Sequence, residues 1–308
     1  MKLFKSLLIA SLVLVGCTSK PAESIEENNP IKMLAPTGAT ALALVEQAGA
    51  GLNQIDFVTG SEAISAELVK PNPEYDIVIA PVNLGAKMIE SGKSEYLLKA
   101  VITFGNLYLV GTDENVLSNE GEFAAFGENS VPDVIFKNVV DVASITPNIT
   151  YYSSAQDVQG ILLSGKATSA LLAEPAVTAT IGKAKEQGIE LKVIMDLQAA
   201  YQEKYKTANP GFPQAAIFVK KGSEAAVQST LDQVEKFVNE TVIESPEKLT
   251  ELIEKVGADV LGVPNAKVAS ATWGKQNIRY SLASEYTEEL TSLLSLFNIV
   301  YSDTMLSK

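Results

Sequence analysis

Tyr75-Asp76-Ile77-Val78-Ile79-Ala80-Pro81 decides how this chain folds. Four apolar residues follow Asp76 with no polar alternation, and a proline closes the run. A strand with one wet face would alternate apolar and polar, so this run reads as a buried strand of a parallel sheet covered on both faces. Pro81-Val82-Asn83 then turns into a helix that stops at Gly92.

The same alternation extends in both directions. Upstream, Ile31 to Leu34 reads as a strand, Pro36-Thr37-Gly38 as a turn and Ala39 to Ala48 as a helix. Ile55 to Thr59 is a second strand, and Gly60-Ser61 leads into a helix ending at Val69. Downstream, Val101 to Phe104 and Leu107 to Val110 are strands around Gly105-Asn106. The pattern restarts with strands at Glu122 to Phe126, Ile149 to Tyr152, Ser169 to Ala173 and Leu191 to Asp196. Helices fall between them; one opens on Ser154…Asp157, a capping box with Asp in place of Glu or Gln. Asn209-Pro210-Gly211-Phe212-Pro213 is the densest turn cluster, and Ala215 to Val219 is a further strand. From Ser223 the chain reads as mostly amphipathic helix, with one turn at Gly262-Val263-Pro264. Strands alternating with helices in two successive runs predict an α/β protein of two lobes. Each lobe is an open, mainly parallel sheet flanked by helices.

At the other end, a basic start (Lys2, Lys5), an apolar run from Leu7 to Val15 and Gly16-Cys17 have the layout of a secretory signal. The run is too short for an ordinary membrane span. Leu14-Val15-Gly16-Cys17 resembles a bacterial lipobox. That resemblance implies a signal peptide over 1–16, cleavage before Cys17 and lipidation of its thiol. Residues 17–30, acidic and polar with two prolines, read as a flexible tether. A mature part lipid-anchored on the extracytoplasmic face of the bacterial cell membrane follows.

Composition excludes several function classes. The net charge is −13 among 308 residues, which argues against nucleic acid, whose phosphates require a basic footprint. Histidine is absent, removing the usual general base, the common nucleophile pairs and the commonest metal ligand. Cys17 is the single cysteine, so no intramolecular disulfide is available. Arginine occurs once, at Arg279, so a bidentate fork for a carboxylate or phosphate is nearly out of reach. No catalytic residue, metal or cofactor is expected.

Three runs, in this order, resemble a known family: Pro36-Thr37-Gly38-Ala39, the Tyr75–Pro81 run quoted above and Leu171-Leu172-Ala173-Glu174-Pro175-Ala176. With the lipobox and the two lobes, they resemble the solute-binding lipoproteins of ABC importers, in the nitrate/sulfonate/taurine and thiamine-precursor branch of type II periplasmic binding proteins. The resemblance spans residues 31–300, and the conspicuous "GK" turn expected before the Glu122 strand is missing. It implies a first lobe of residues 31–111 with 215–308 and a second lobe of 112–214. It also implies capture of a small organic solute between the lobes and delivery by a monomer to a permease with a cytosolic ATPase. Either a sulfonate-type anion or a heteroaromatic vitamin precursor fits as solute; the acidic composition favours a neutral or cationic heteroaromatic. An enzyme on the same fold and a surface lipoprotein without a small ligand are the alternatives.

Ligands of open α/β sheets sit beyond the carboxyl ends of the strands, where helix starts offer unpaired N–H groups. This places Thr37, Gly38, Ser61, Pro81, Asn83, Asn129 and Ser130 as candidate ligand-binding residues. Tyr152 and Phe212 are candidate stacking surfaces or core residues. Tyr151, Phe104 and Trp273 share that ambiguity, with Trp273 read as helix packing. Glu174, ending an apolar strand before a proline, either accepts hydrogen bonds from ligand amines or carries a structural bond.

Overall fold

The computed structural model describes residues 30–307. The signal-like start, Cys17 and the tether up to Asn29 lie outside the described residues. Among the described residues no helix is long and apolar enough to cross a membrane, and no cluster of acidic, His or Cys side chains could hold a metal ion.

Among the described residues, eleven strands form two sheets. They are β1 (Lys32–Pro36), β2 (Gln54–Val58), β3 (Ile77–Pro81), β4 (Tyr96–Thr103), β5 (Leu107–Gly111), β6 (Glu122–Phe126), β7 (Asn148–Tyr152), β8 (Ser169–Ala173), β9 (Lys192–Asp196), β10 (Ala215–Lys220) and β11 (Ile278–Leu282). The first sheet has the order β11-β4-β10-β3-β1-β2, the second β7-β6-β8-β5-β9. Strands β1, β2 and β3 run parallel, as do β6, β7 and β8. The strands running against the majority are β10 and β11 in the first sheet and β5 in the second.

The direction of β5 and β10 has a simple cause. Each is the strand the chain makes immediately after crossing between lobes. The chain leaves one sheet at the carboxyl end of a strand and enters the other at the same, facing end. It must therefore run away from the cleft, antiparallel to its neighbours.

The run that opened the sequence reading is β3. Ile77 and Ile79 enter the apolar layer on one face of the first sheet, Val78 and Ala80 the layer on the other, and all four are buried. Burying a side chain of this size stabilises the fold by about 1.5–3 kcal/mol. The layer containing Val78 does not stop at the lobe boundary. It continues through Phe104, Leu107 and Phe212 to Phe123 and Leu171 of the second sheet. One apolar core thus passes through the hinge.

One expectation is corrected, and one strand is added. Leu107–Gly111 was assigned to the first lobe, but β5 is a central strand of the second sheet, bonded to β8 and β9. The first crossing therefore lies at Phe104–Asn106, where Gly105 adopts φ 88°. The C-terminal segment, mostly helix as expected, also carries a strand that the sequence reading did not place: Ile278–Leu282 forms β11 on the edge of the first sheet. Its alternating burial marks a half-covered strand. It follows Asn277, whose left-handed backbone ends the preceding turn.

The return crossing is tightly fitted. Phe212 N–H donates to the carbonyl of Phe104, and Gln214 N–H to that of Thr103. Gly211 has φ 88°, and a Cβ there would stand 1.9 Å from the Phe104 carbonyl oxygen. Only glycine lets the two crossings lie this close. Phe212, fully buried, packs on Tyr201 with ring centroids 5.3 Å apart. Arg279 stacks its guanidinium 3.6 Å over the Phe104 ring and donates to the Pro210 carbonyl. The single arginine belongs to the hinge.

Candidate functional site

The carboxyl ends of β1, β3 and β4 face those of β6 and β8 across a cavity of about 340 Å³. That is the small end of the range for ligand pockets, about 300–1,000 Å³. The first lobe supplies Pro36, Thr37, Gly38, Thr40, Pro81, Thr103 and Gly262, and the second Phe126, Ser130, Pro132, Gln156, Glu174 and Pro175. Asn106 and Gln214, one from each crossing, line it from the hinge. Much of the wall is flat and apolar: a proline stands near the end of β1, β3, β6 and β8, and Phe126 is beside one of them.

Five of the expected residues line this cavity: Thr37, Gly38, Pro81, Ser130 and Glu174. Ser61, Asn83, Asn129, Tyr152 and Phe212 do not. Ser61 follows β2, the outer strand of its sheet, and is exposed. Asn83 lies in the first turn of the helix Val82–Glu90, with its Oδ1 buried. Asn129 uses its N–H on Asp133 Oδ2 (2.8 Å). Tyr152 donates its hydroxyl to Glu122 at the opposite end of the second sheet. Phe212 is the hinge core residue described above, and Phe104 is buried beside it. Trp273 packs edge-on against Phe237.

Some of the backbone donors around the cavity are engaged within the chain. In the first lobe Gly38 N–H donates to the Leu261 carbonyl (2.7 Å), and Val82 N–H to that of Gln214 (3.0 Å). In the second lobe side chains engage donors at or just before the helix starts. Asp133, in the first turn of the helix Val131–Val139, is buried and also receives Lys137 Nζ (2.9 Å) and the Tyr151 hydroxyl. Ser154 Oγ caps Asp157 N–H (3.1 Å), as its capping-box spacing predicts. Glu174 accepts Thr178 N–H (3.1 Å) and Thr178 Oγ1 (2.7 Å). A carboxylate at a helix start satisfies the dipole that an anionic ligand would otherwise use.

Glu174 is 3% exposed and is the single charged residue lining the cavity among the described residues. Its Oε1 lies 4.0 Å from Lys275 Nζ of the first lobe. The Lys275 carbonyl in turn accepts the Tyr108 hydroxyl of β5 (3.1 Å). Burial first, and then the Asp196 and Glu174 charges, push the Tyr108 pKa up to about 12. The hydroxyl therefore stays protonated and keeps donating between the lobes at neutral pH.

Asn106 and Gln214 were missed by the sequence reading. Asn106 is 5% exposed; its Nδ2 donates to the Glu174 carbonyl (2.8 Å), and its own carbonyl accepts Glu174 N–H (2.9 Å). That fixes the amide's orientation and leaves Oδ1 buried without a partner among the described residues. Gln214 Oε1 is likewise buried without a partner among the described residues. The available signal was position: both sit in the turns that join the runs of strands, and crossings pass behind a cleft.

No family model matches this sequence, and no curated protein matches it. Solved structures do match in shape. An ABC transporter structure from Parabacteroides distasonis superposes with TM-score 0.74 at 19% identity, covering 91% of this chain and 99% of that one. The periplasmic aliphatic sulphonate binding protein SsuA of Escherichia coli gives TM-score 0.59 at 10% identity, with 91% and 94% covered. The alkanesulfonate-binding protein SsuA of Xanthomonas axonopodis pv. citri, bound to MOPS, gives 0.55 at 13% identity with the same coverage. The chain therefore has the two-lobed fold of the periplasmic binding proteins that serve ABC importers.

Proposed function

We propose that this protein is an extracytoplasmic solute-binding lipoprotein of an ABC importer. It captures a small organic solute in the cleft and presents it to a membrane permease driven by a cytosolic ATPase. The observation that carries this reading is the cavity of about 340 Å³ walled by the strand ends of both lobes. A ligand that contacts both walls favours the closed arrangement by its differential affinity alone. The lipobox-like Cys17 supplies the anchor, and the protein acts as a monomer. Thr37, Gly38, Pro81, Ser130 and Glu174 are the ligand-facing residues. Chemistry on the chain is disfavoured: the one acid lining the cavity is held by Thr178 and faces no histidine, since the chain has none. A surface lipoprotein with no small ligand fits less well, because the cleft is not filled by its own side chains.

The test is thermal stability of the full chain in detergent against a panel of sulfonates, oxyanions, amino acids, nitrogen heterocycles and vitamin precursors. A ligand at 100 times its dissociation constant adds about 2.7 kcal/mol. For a chain of this size that raises Tm by several degrees, at about 2–4 °C per kcal/mol. One class of compound is expected to produce such a shift. Silence across the panel, with a crystal structure in which the cleft is closed on its own side chains, would overturn the reading.

A further inference from the structure

We infer that Lys183 and Asp259 are positioning residues that latch the two lobes together at the mouth of the cleft. They touch no solute and act on its retention through lobe closure. The inference rests on the cleft being a solute site, and it concerns what holds that site shut.

A groove of about 300 Å³ opens from the cavity on a side that neither crossing lines. Ala155, Gln156, Pro175, Ala176 and Gly262 line both. One wall is the helix Ala176–Glu186 of the second lobe, which carries Lys183 in its last turn. The other is the helix Ala258–Leu261 of the first lobe with the turn after it, and it carries Asp259. Every other residue lining the groove is uncharged. Lys183 and Asp259 are exposed, and neither side chain is in an ion pair or hydrogen bond among the described residues. Two opposite charges thus border one gap from opposite lobes, each with its charge unspent.

Each charge is mounted on a wall of the cavity. On the second lobe, Gln159 Nε2 donates to the Ala176 carbonyl (3.0 Å) and to Thr180 Oγ1 (2.8 Å), which ties the helix of Lys183 to the helix Ala155–Leu163. On the first, the Leu261 carbonyl takes Gly38 N–H, and a Cβ on Gly262 would stand 2.5 Å from Thr37 Cβ. The Asp259 helix is therefore seated on the Thr37-Gly38 turn, and drawing Asp259 towards Lys183 draws the cavity walls together. The sense of the charges matters too. Glu174, just before the Lys183 helix, is an acid of the second lobe beside Lys275 of the first (4.0 Å). Lys183 and Asp259 have the reverse sense. A helix with an acid at its start and a base in its last turn has one favoured seating against such partners. Displaced along its axis, it brings Lys183 towards Lys275 or Glu174 towards Asp259, and like charges repel. An exposed pair shifts an equilibrium about two- to fivefold. That is enough to add to a solute's own contacts in closing the lobes, and weak enough to release once those contacts are lost.

The test needs no solute. The full chain in detergent is treated with a water-soluble carbodiimide, which joins a carboxylate to an amine only where the two touch, and the peptides are mapped by mass spectrometry. A Lys183–Asp259 cross-link is expected, in higher yield than one from the neighbouring Lys185 to Asp259. Its yield should fall several-fold between about 0.01 M and 1 M salt, as screening shortens from about 30 Å to about 3 Å. Hydrogen exchange then reads closure. Lys183→Glu and Asp259→Lys should each speed exchange of the amides at Thr37–Thr40 and Ala176–Thr178 about two- to fivefold. The double reversal should restore both the cross-link and the slow exchange, which a role in packing alone would not do. Absence of the cross-link at low salt, a yield indifferent to salt, or a double reversal that exchanges as fast as the single ones overturns the latch. A solute hit from the stability panel beside any of these leaves the cleft a solute site. A silent panel beside a salt-dependent cross-link overturns the solute reading and leaves the latch.

Discussion

The two sheets are built to one plan and finished differently at the cleft. Their strand orders superpose, β2-β1-β3-β10-β4 on β7-β6-β8-β5-β9, with the strand made just after a crossing in the fourth place of each. In the first lobe, backbone carbonyls from distant segments take one N–H at each helix start facing the cleft, Leu261 from Gly38 and Gln214 from Val82. In the second lobe, side chains close them, with Asp133 and Glu174 as the acids. The shared plan sets where a ligand sits. The difference in finish means that main chain trims the helix starts of one lobe and side chains those of the other.

The comparison can be broken at several places. The largest effect is expected at the hinge both sheets depend on. In Gly211→Ala the new Cβ meets the Phe104 carbonyl and the backbone must keep a positive φ. A loss above about 4 kcal/mol, in the exceptional class for single substitutions, is expected in chemical denaturation. A smaller loss would mean that the crossings can separate without unfolding either lobe.

Next is the acid-closed helix start itself. Asp133→Asn removes a buried charge while keeping a side chain of the same shape. It should cost about 1–3 kcal/mol. The variant should also gain sulfate binding, read as a sulfate-dependent rise in Tm that the parent lacks. Stabilisation of parent and variant to the same degree would show that Asp133 does not control the charge of that start.

Weaker still is the tie between the lobes. Tyr108→Phe deletes the hydroxyl donated to Lys275 and should cost about 0.5–1.5 kcal/mol. The folded pKa of Tyr108 is raised to about 12, above the ordinary value of 10. Its contribution is therefore fully present below about pH 10 and is lost as pH rises through about 12. The stability difference between parent and variant should be flat from neutral pH to 9 and shrink above 10; a difference that grows with alkali would contradict this account. The smallest effect is at Tyr152→Phe, which should leave ligand affinity unchanged by calorimetry, because that hydroxyl is turned to Glu122.

How far the sequence could be read follows from which interactions are local. The β3 run announced a strand covered on both faces because burial on both faces is written in consecutive residues. The lobe of β5 was not written that way. Leu107 to Gly111 is an apolar run whichever sheet receives it, and only pairing with β8 and β9 decides. The edge strand β11 escaped because five alternating residues with a central Tyr280 fit a helix turn about as well as a strand. In the site, residues at strand ends, Thr37, Pro81 and Glu174, were placed by the rule that ligands lie beyond carboxyl ends. Phe212 and Tyr152 were not, since the partner of a side chain is a tertiary fact: Tyr201 takes one and Glu122 the other. Asn106 and Gln214 stand in the two crossings, and their place at the cavity follows from which sheets those crossings join.

The place of β10 carries a consequence for how the molecule is made. It lies between β3 and β4, yet it follows them in the chain after the whole of the second sheet. A nascent chain that has emerged up to Asp196 holds every strand of the second sheet but lacks the central strand of the first. Until Ala215–Lys220 arrives, β3 and β4 offer open edges to any passing strand. Synthesis therefore favours a polypeptide whose later-starting lobe matures first, while the earlier one waits unfinished. That interval is when a holding chaperone would matter most.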